Sequence, residues 1–279
     1  MSKSSPRISF EYFPPKTDAG KDKLLNLTTP ALNALNPAFF SVTYGAGGST
    51  RDSTLGVVSA IREAGIEVAP HLSFGGDDES AIDELLDNYK QRGISHLVAL
   101  RGDMPSGMGG MAQLVYANEL VEYVRKRTGD HFHIEVAAYP EIHPQAESYQ
   151  RDVEFLKAKF DAGANSAITQ YFFNVDSYFY FLDQCAAAGI DSPIYAGIMP
   201  IVNFSNLARF SANCGADIPR WMRQRIEGYG DDQESIQKFG IEVVSQLCQT
   251  LLDSGAPGIH FYTMNQVDPT RKIVSNLGL

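Results

Sequence analysis

The sequence has little of the material that several protein classes require. Its 279 residues include three cysteines and one tryptophan. Cys185, Cys214 and Cys248 lie far apart and form no Cys-x-x-Cys pair. A disulfide framework is therefore not expected; reduced thiols of a cytoplasmic protein are. No run approaches the ~18 apolar residues of a membrane span. Residues 1–7 are polar and lack the apolar core of a signal peptide. Positive charge is also scarce: 23 Lys and Arg against 33 Asp and Glu give a net charge of −10. Without a basic stripe, nucleic acid is not an expected partner. Small anionic ligands need only a few well-placed cations.

What is present is a repeating alternation. Short β-rich runs occur at 8–13, 39–43, 67–72, 96–100, 134–138, 167–170, 194–197 and 258–262. Most begin about 30 residues apart, the length of one βα unit. Between them lie segments with helical spacing, such as Ile82, Leu85, Leu86 and Tyr89, or Val153, Leu156 and Phe160. Gly65, Gly93, Gly163, Gly189 and Gly255 each follow such a segment, as helix C-terminal caps do. Residues 200–257 must hold more than one helix. Eight units admit a closed (β/α)8 TIM barrel or an open doubly wound α/β sheet. The barrel is favoured because candidate chemical groups end nearly every strand: Glu11, Thr43, His71, Arg101 with Asp103, Tyr139, Gln170 and Tyr262. An open sheet concentrates ligand groups at one switch point, whereas a barrel spreads them around a rim. No linker interrupts the chain, so residues 8–279 read as one domain behind a short polar tail.

Several segments carry chemistry. In Ser9-Phe-Glu-Tyr-Phe-Pro-Pro-Lys16, strand alternation puts Ser9, Glu11 and Phe13 on one face. If that face points inward, desolvation would raise the Glu11 carboxyl from about 4.3 and leave it un-ionised near neutrality. A water-facing strand-end carboxylate is an equal alternative from this segment alone. The turn Tyr44-Gly-Ala-Gly-Gly lacks dinucleotide-fingerprint spacing. Arg101-Gly-Asp103 ends a buried strand with a cation and an anion, which serve either a ligand or each other. Tyr139-Pro-Glu-Ile-His143 repeats that pattern. His96, His131 and His133 read as structural, and no His/Asp/Glu set has convincing metal-ligand spacing.

Together these segments resemble the methylenetetrahydrofolate reductase family. The resemblance rests on Ser9-Phe-Glu-Tyr-Phe-Pro-Pro-Lys, Val42-Thr-Tyr-Gly-Ala, Pro70-His-Leu, Leu100-Arg-Gly-Asp, Ala138-Tyr-Pro-Glu-Ile-His-Pro, Asp161-Ala-Gly-Ala-Asn-Ser-Ala-Ile-Thr-Gln170 and His260-Phe-Tyr-Thr-Met-Asn, in order along the chain. It implies an FAD-containing (β/α)8 barrel that transfers hydride between NAD(P)H and 5,10-methylenetetrahydrofolate by ping-pong kinetics. FAD would meet Thr43, His71, Arg101, Gly102, Asp103, Tyr116, Ala117, Tyr139, His143, Asp152 and Lys159. Folate would meet Glu11, Asp103, Gln170, Asn206, Phe210, Tyr262 and Gln266. Glu11 would be the general acid at N10, and Asp103 would stabilise the cation that forms at N5. A homo-oligomer is implied as well.

The chain departs from well-studied bacterial members at three positions. Gln266 replaces Arg, Asn206 replaces Gln, and Phe155 replaces Asn on the adenosine side. Ending at Leu279, it is expected to lack S-adenosylmethionine control. Two other readings remain open: a flavin-free lyase or hydrolase using paired carboxylates, and a folate- or flavin-binding protein without turnover.

Overall fold

The computed structural model describes residues 6–44, 51–74, 79–101 and 116–279. Eight parallel strands close into a barrel in sequence order, β1 next to β8. They are β1 (Arg7–Tyr12), β2 (Phe39–Val42), β3 (Val68–Leu72), β4 (His96–Ala99), β5 (His133–Ala138), β6 (Ser166–Thr169), β7 (Ile194–Ile198) and β8 (Gly258–Tyr262). Every expected strand is present, with ends shifted by a residue at most. Two short helices, α1 (Asp18–Lys23) and α2 (Thr29–Asn33), join β1 to β2. The following units carry α3 (Arg51–Glu63), α4 (Glu79–Gln91), α5 (Ala117–Thr128), α6 (Tyr149–Asp161) and α7 (Val175–Ala187). The long unit before β8 holds α8 (Phe204–Cys214), α9 (Arg220–Glu227) and α10 (Gln233–Asp253), and α11 (Thr270–Asn276) follows it.

Strand alternation sorts the side chains into two cores. Ile8, Phe10 and Tyr12 point outward from β1 into the layer between sheet and helices. On the helices, the expected faces pack inward: Ile82, Leu85, Leu86 and Tyr89 of α4 are buried, as are Val153 and Leu156 of α6, with Phe160 partly buried against the same core. All five interhelical glycines named above adopt left-handed backbone, Gly163 at φ 113°. Tyr178 and Phe181 of α7 are buried, while Tyr180 between them is exposed.

Inside the barrel, Phe39, Ala69, Val98 and Ile168 form a small apolar cluster with Leu100, Tyr195 and Tyr262 against it. Side chains filling the lumen make it a packed core instead of a pore. Polar side chains lie on both sides of this cluster. At the strand N-termini, the fully buried Glu135 accepts from Arg7 at 2.7 Å and from Ser166 Oγ at 2.7 Å. His96 lies 3.1 Å from the same carboxylate, and His133 lies 3.6 Å from it. The Arg7 guanidinium is held between the faces of Phe39 and Tyr195, 4.8 and 4.4 Å from their centroids. Burial pushes the Glu135 carboxyl up, but the hydrogen bonds of His133 and His96 and the charge of Arg7 outweigh it, so the group is ionised.

A buried ion that loses its partner is costlier than the pair was favourable. Arg7→Met is therefore expected to lower unfolding free energy by about 3–5 kcal/mol, with the wild-type loss scale of broken buried pairs as the guide. Urea denaturation measures it; a change under about 1 kcal/mol, the scale of an exposed pair, would show that solvent already satisfies Glu135.

Candidate active site

The strand C-termini gather most of the residues expected at the site. Glu11, the fifth residue of β1, projects into the barrel with its side chain 18% exposed. Its register neighbours are Ser41 on β2 and Tyr262 on β8. Three groups converge on Oε2: Ser41 Oγ donates from 3.4 Å, His260 Nε2 lies at 3.4 Å and His71 Nε2 at 3.2 Å. The expectation of an un-ionised Glu11 is overturned here. Burial does push the carboxyl upward, but the His71 charge, with His260 bonding and charge, holds it at about 2. Alternation along β1 could show that Glu11 faces inward; it could not show two imidazoles arriving from β3 and β8.

Further contacts fix the strand end that carries this carboxylate. Ser9 Oγ and His260 Nδ1 are 2.7 Å apart, on register partners of β1 and β8. Thr263 Oγ1 donates to the Glu11 carbonyl at 2.7 Å. Asn265 clasps the Phe13 backbone, accepting its N–H at 3.1 Å and donating to its carbonyl at 2.7 Å. Asn265 does so with φ 56°, a left-handed conformation that asparagine tolerates. The turn after β8 thus ties down the end of β1. Neither Ser9, His260 nor Asn265 was singled out from sequence. Inward alternation with Tyr262 would have found His260.

Tyr262 donates its phenol to the Thr169 carbonyl at 2.7 Å, leaving the ring as its free surface. Gly197 makes this possible: a Cβ there would lie 1.9 Å from Thr169 O and 2.9 Å from the Tyr262 ring. Gln170 and Tyr139 line one cleft together with Glu141, Tyr171 and Cys214. Glu141 is a brace between loops, accepting from Asp217 N at 2.8 Å. Asn206 and Phe210 stand one turn apart on α8, where Asn203 caps the helix by accepting from Asn206 N at 3.0 Å. Arg209 lies 5.1 Å from the Phe210 centroid. Gln266 is exposed in the turn after β8.

Another group forms beside β5. Lys159 reaches back from α6 to donate to the Ala137 carbonyl at 2.7 Å. Burial pulls its ammonium down to about 8; Asp152 opposes that shift and Arg101 adds to it. Burial raises the Asp152 carboxyl against the opposing bond from His143 N, 2.7 Å away. The His143 ring packs edge-on to Tyr139, with centroids 4.5 Å apart. Arg101 donates to Gln145. At the start of α5, next to Ala117, the exposed Tyr116 ring lies parallel to exposed Phe155, centroids 6.4 Å apart. Gly102 and Asp103 fall outside the described residues, as do the glycines of the turn after β2.

Two polar atoms at the mouth are buried without a hydrogen-bond partner among the described residues: Thr43 Oγ1 and His71 Nε2. His71 is close enough to Glu11 for ion pairing but out of line for a hydrogen bond. Buried polar atoms are rarely left unpaired unless something else completes them. Elsewhere, His96, His133 and Glu135 bring three ligand atoms within 4.8 Å of one another. Their separation in sequence hid that proximity. Arg7 already neutralises the carboxylate there, so the cluster is accounted for as a buried ion group.

The closed strand order and the polar groups on the C-terminal rim place the protein in the (β/α)8 barrel class. The methylenetetrahydrofolate reductase family profile matches residues 1–278. The chain is 41% identical over 273 residues to the 5,10-methylenetetrahydrofolate reductase of Escherichia coli (strain K12), covering 98% of this chain and 90% of the relative. It is 37% identical over 286 residues to a probable methylenetetrahydrofolate reductase (NADH) of Oryza sativa subsp. japonica, covering 98% of this chain and 48% of that one. Among solved structures, an uncharacterized Clostridium thermocellum protein, described as binding two copies of 5-methyl-5,6,7,8-tetrahydrofolic acid, matches with TM-score 0.70. It covers 99% of this chain and 95% of that one at 16% identity, a likeness of fold alone. The chain belongs to the methylenetetrahydrofolate reductase family.

The Glu11 shift has a sign that stability can read. A carboxyl depressed in the folded state stabilises it above the unfolded value of about 4.3, and that contribution disappears as pH falls toward the folded value. The stability difference between wild type and Glu11→Gln is therefore expected to change between pH ~4 and 2. Denaturation across that range checks it; a difference that does not change between pH ~4 and 2 would mean that the carboxyl is not depressed.

Proposed function

We propose that this chain is an FAD-dependent oxidoreductase that interconverts 5,10-methylenetetrahydrofolate and 5-methyltetrahydrofolate by ping-pong hydride transfer, with NAD(P)H as the electron donor. The reading rests on family membership. The observation that carries it at the level of chemistry is Glu11, a carboxylate held inside the barrel mouth by imidazoles and a serine. The names of the plant relatives specify NADH, which favours it as donor here.

The residues present fit the cofactor. Thr43 Oγ1 is buried without a hydrogen-bond partner among the described residues, and Thr43 is a position at which the family resemblance puts FAD, as is His71 beside Glu11. Arg101 and Lys159 supply the cations for a pyrophosphate. Lys159 in particular is held below its ordinary value by burial, and an anion beside it would restore full protonation. Tyr116 with Phe155 offers aromatic surface for the adenine, so the Phe155 departure substitutes stacking for a polar contact. Ala117, Tyr139, His143, Asp152, Gly102 and Asp103 complete the proposed set. When bound, FAD supplies the two-electron chemistry; the chain supplies placement and protons.

Folate would lie over Glu11, bounded by Gln170, the Tyr262 ring and Phe210, with Asn206 and Gln266 toward its tail. Opening of the N5–N10 methylene bridge needs a proton on N10, which Glu11 is placed to deliver. The cation left at N5 would be stabilised by Asp103. The flavin-free alternative pairs Glu11 with Asp103, which lies outside the described residues; family membership is what favours the flavin reading over it. The same reading makes the protein a cytoplasmic homo-oligomer without nucleic-acid or membrane partners; no helix of the described residues is long and apolar enough to cross a membrane.

Glu11→Gln is expected to retain flavin and to accept electrons from NADH, while folate reduction falls by at least ~10²-fold, the scale of a lost general acid. Anaerobic stopped-flow absorbance of each half-reaction measures this. Undiminished folate turnover in the variant would remove Glu11 from the mechanism, and a colourless wild-type protein that binds no flavin would remove the cofactor.

A further inference from the structure

The protein carries a net charge of −10, yet one part of its helical layer is basic. Helices α8 and α9 with their connection, residues 204–227, hold Arg209, Arg220, Arg223 and Arg225 against two carboxylates, Asp217 and Glu227. Neither helix has an acidic residue in its first turn. Most arginines elsewhere are ion-paired: Arg51, Arg62, Arg92, Arg127, Arg151 and Arg271 each lie within 3.6 Å of a carboxylate. Arg209, Arg220 and Arg223 are exposed and have no carboxylate partner among the described residues. Arg209 lies 5.1 Å from the Phe210 centroid and donates to Asn206 Oδ1 at 3.3 Å. Arg223 lies 5.7 Å from the Phe204 centroid, and Arg220 stands one turn before it on α9. Arg225 turns away to Tyr229, whose oxygen accepts its Nε–H at 3.0 Å.

We propose that Arg209, Arg223 and Arg220 form a cationic track for the carboxylates of the folate tail, so that the preferred substrate carries several γ-linked glutamates instead of one. The proposal deepens the folate-reductase reading and rests on it for the placement of the pterin end. That reading sets folate against Phe210 with its tail toward Asn206, and Arg209 touches both of those side chains. Beyond them, Arg223 packs on Phe204 in the first turn of the same helix. Each γ-linked glutamate adds a carboxylate, which a guanidinium takes through paired N–H bonds. Position 266 supplies no cation, because it is Gln266. Arg271 and Lys272 beyond it are held by Asp268 at 3.1 and 3.6 Å. The tail-side cations without a carboxylate, among the described residues, are those of α8 and α9.

All three arginines are exposed, so each contact is weak alone and screened by salt; the gain comes from several acting on one tail. The tail is remote from the reacting atoms and is held alike before and during hydride transfer. Its contacts therefore lower KM and leave kcat alone. Guanidinium groups bind phosphate as well, and NADPH carries one phosphate more than NADH. The folate tail is favoured because Arg209 reaches the two α8 residues assigned to folate.

The test compares the monoglutamate and pentaglutamate forms of 5,10-methylenetetrahydrofolate on flavin-loaded protein. The pentaglutamate is expected to show a KM about 10-fold lower at ~0.02 M salt, the combined scale of a few exposed ion pairs, and to lose most of that advantage at ~0.5 M. In protein carrying both Arg209→Ala and Arg223→Ala the advantage should fall below about 3-fold, while Arg209→Lys with Arg223→Lys should restore part of it. A second readout needs no turnover. Trp221, the single tryptophan, lies between Arg220 and Arg223 on α9 and is 55% exposed. Penta-γ-glutamate alone should change its emission saturably in wild type and not in the double alanine variant. Equal KM for both tail lengths, an advantage that survives the double substitution or high salt, or Trp221 emission indifferent to penta-γ-glutamate overturns the proposal. So does a double variant that raises KM for NADPH but not for the pentaglutamate, which would assign the arginines to the donor's phosphate. A wild-type holoenzyme that turns over neither folate overturns the functional reading instead, while the Trp221 titration still decides the track.

Discussion

A carboxylate can be placed inside a barrel only if something cationic or proton-donating comes with it, and this constraint shapes the lumen from end to end. Among the described residues, two glutamates project inward. Glu135, at the strand N-termini, is neutralised by Arg7 and bonded by Ser166 and His96. Glu11, near the mouth, is bonded by Ser41 and His260 with His71 beside it. Between them lies the apolar cluster of Phe39, Ala69, Val98 and Ile168. Their surroundings differ in one respect that bears on function. Glu135 is sealed and paired with a guanidinium, which cannot give up its proton. Glu11 is partly open and paired with imidazoles, which can.

The mouth is built by connections that cross from one end of the chain to the other. The turn after β8 grips β1 through Thr263 and Asn265, so the strand that carries Glu11 is located by residues about as distant in sequence as the chain allows. Gly197 lets Tyr262 lean across β7 to the Thr169 carbonyl, which presents a ring face to the mouth and keeps the phenol occupied. On the opposite side, α6 returns Lys159 beneath the loop after β5, where Asp152 fixes the backbone of His143. The departures at Asn206 and Gln266 both lie on exposed positions. On the proposed reading they would bear on how a folate tail is held.

Sequence reasoning read the barrel well because its signals are local. Period-2 alternation in β1, glycines after helices and polar residues at strand ends all operate within a few residues. Glu11 was found for that reason. Its ionisation was read with the wrong sign, because burial can be judged from alternation whereas charge compensation depends on His71 and His260, 60 and 249 positions away. The Arg7–Glu135 pair, 128 residues apart, was invisible for the same reason. The stacking of Tyr116 on Phe155 likewise joins two helices and leaves no mark in either segment.

The central claim is that Glu11 rests as a carboxylate at the barrel mouth, held among His71, His260 and Ser41. Infrared difference spectroscopy between wild type and Glu11→Gln at neutral pH tests it most directly. The account predicts that the substitution removes a carboxylate stretching band and no protonated-carboxyl band. Loss of a protonated-carboxyl C=O band instead would contradict it, since Glu11 would then rest un-ionised.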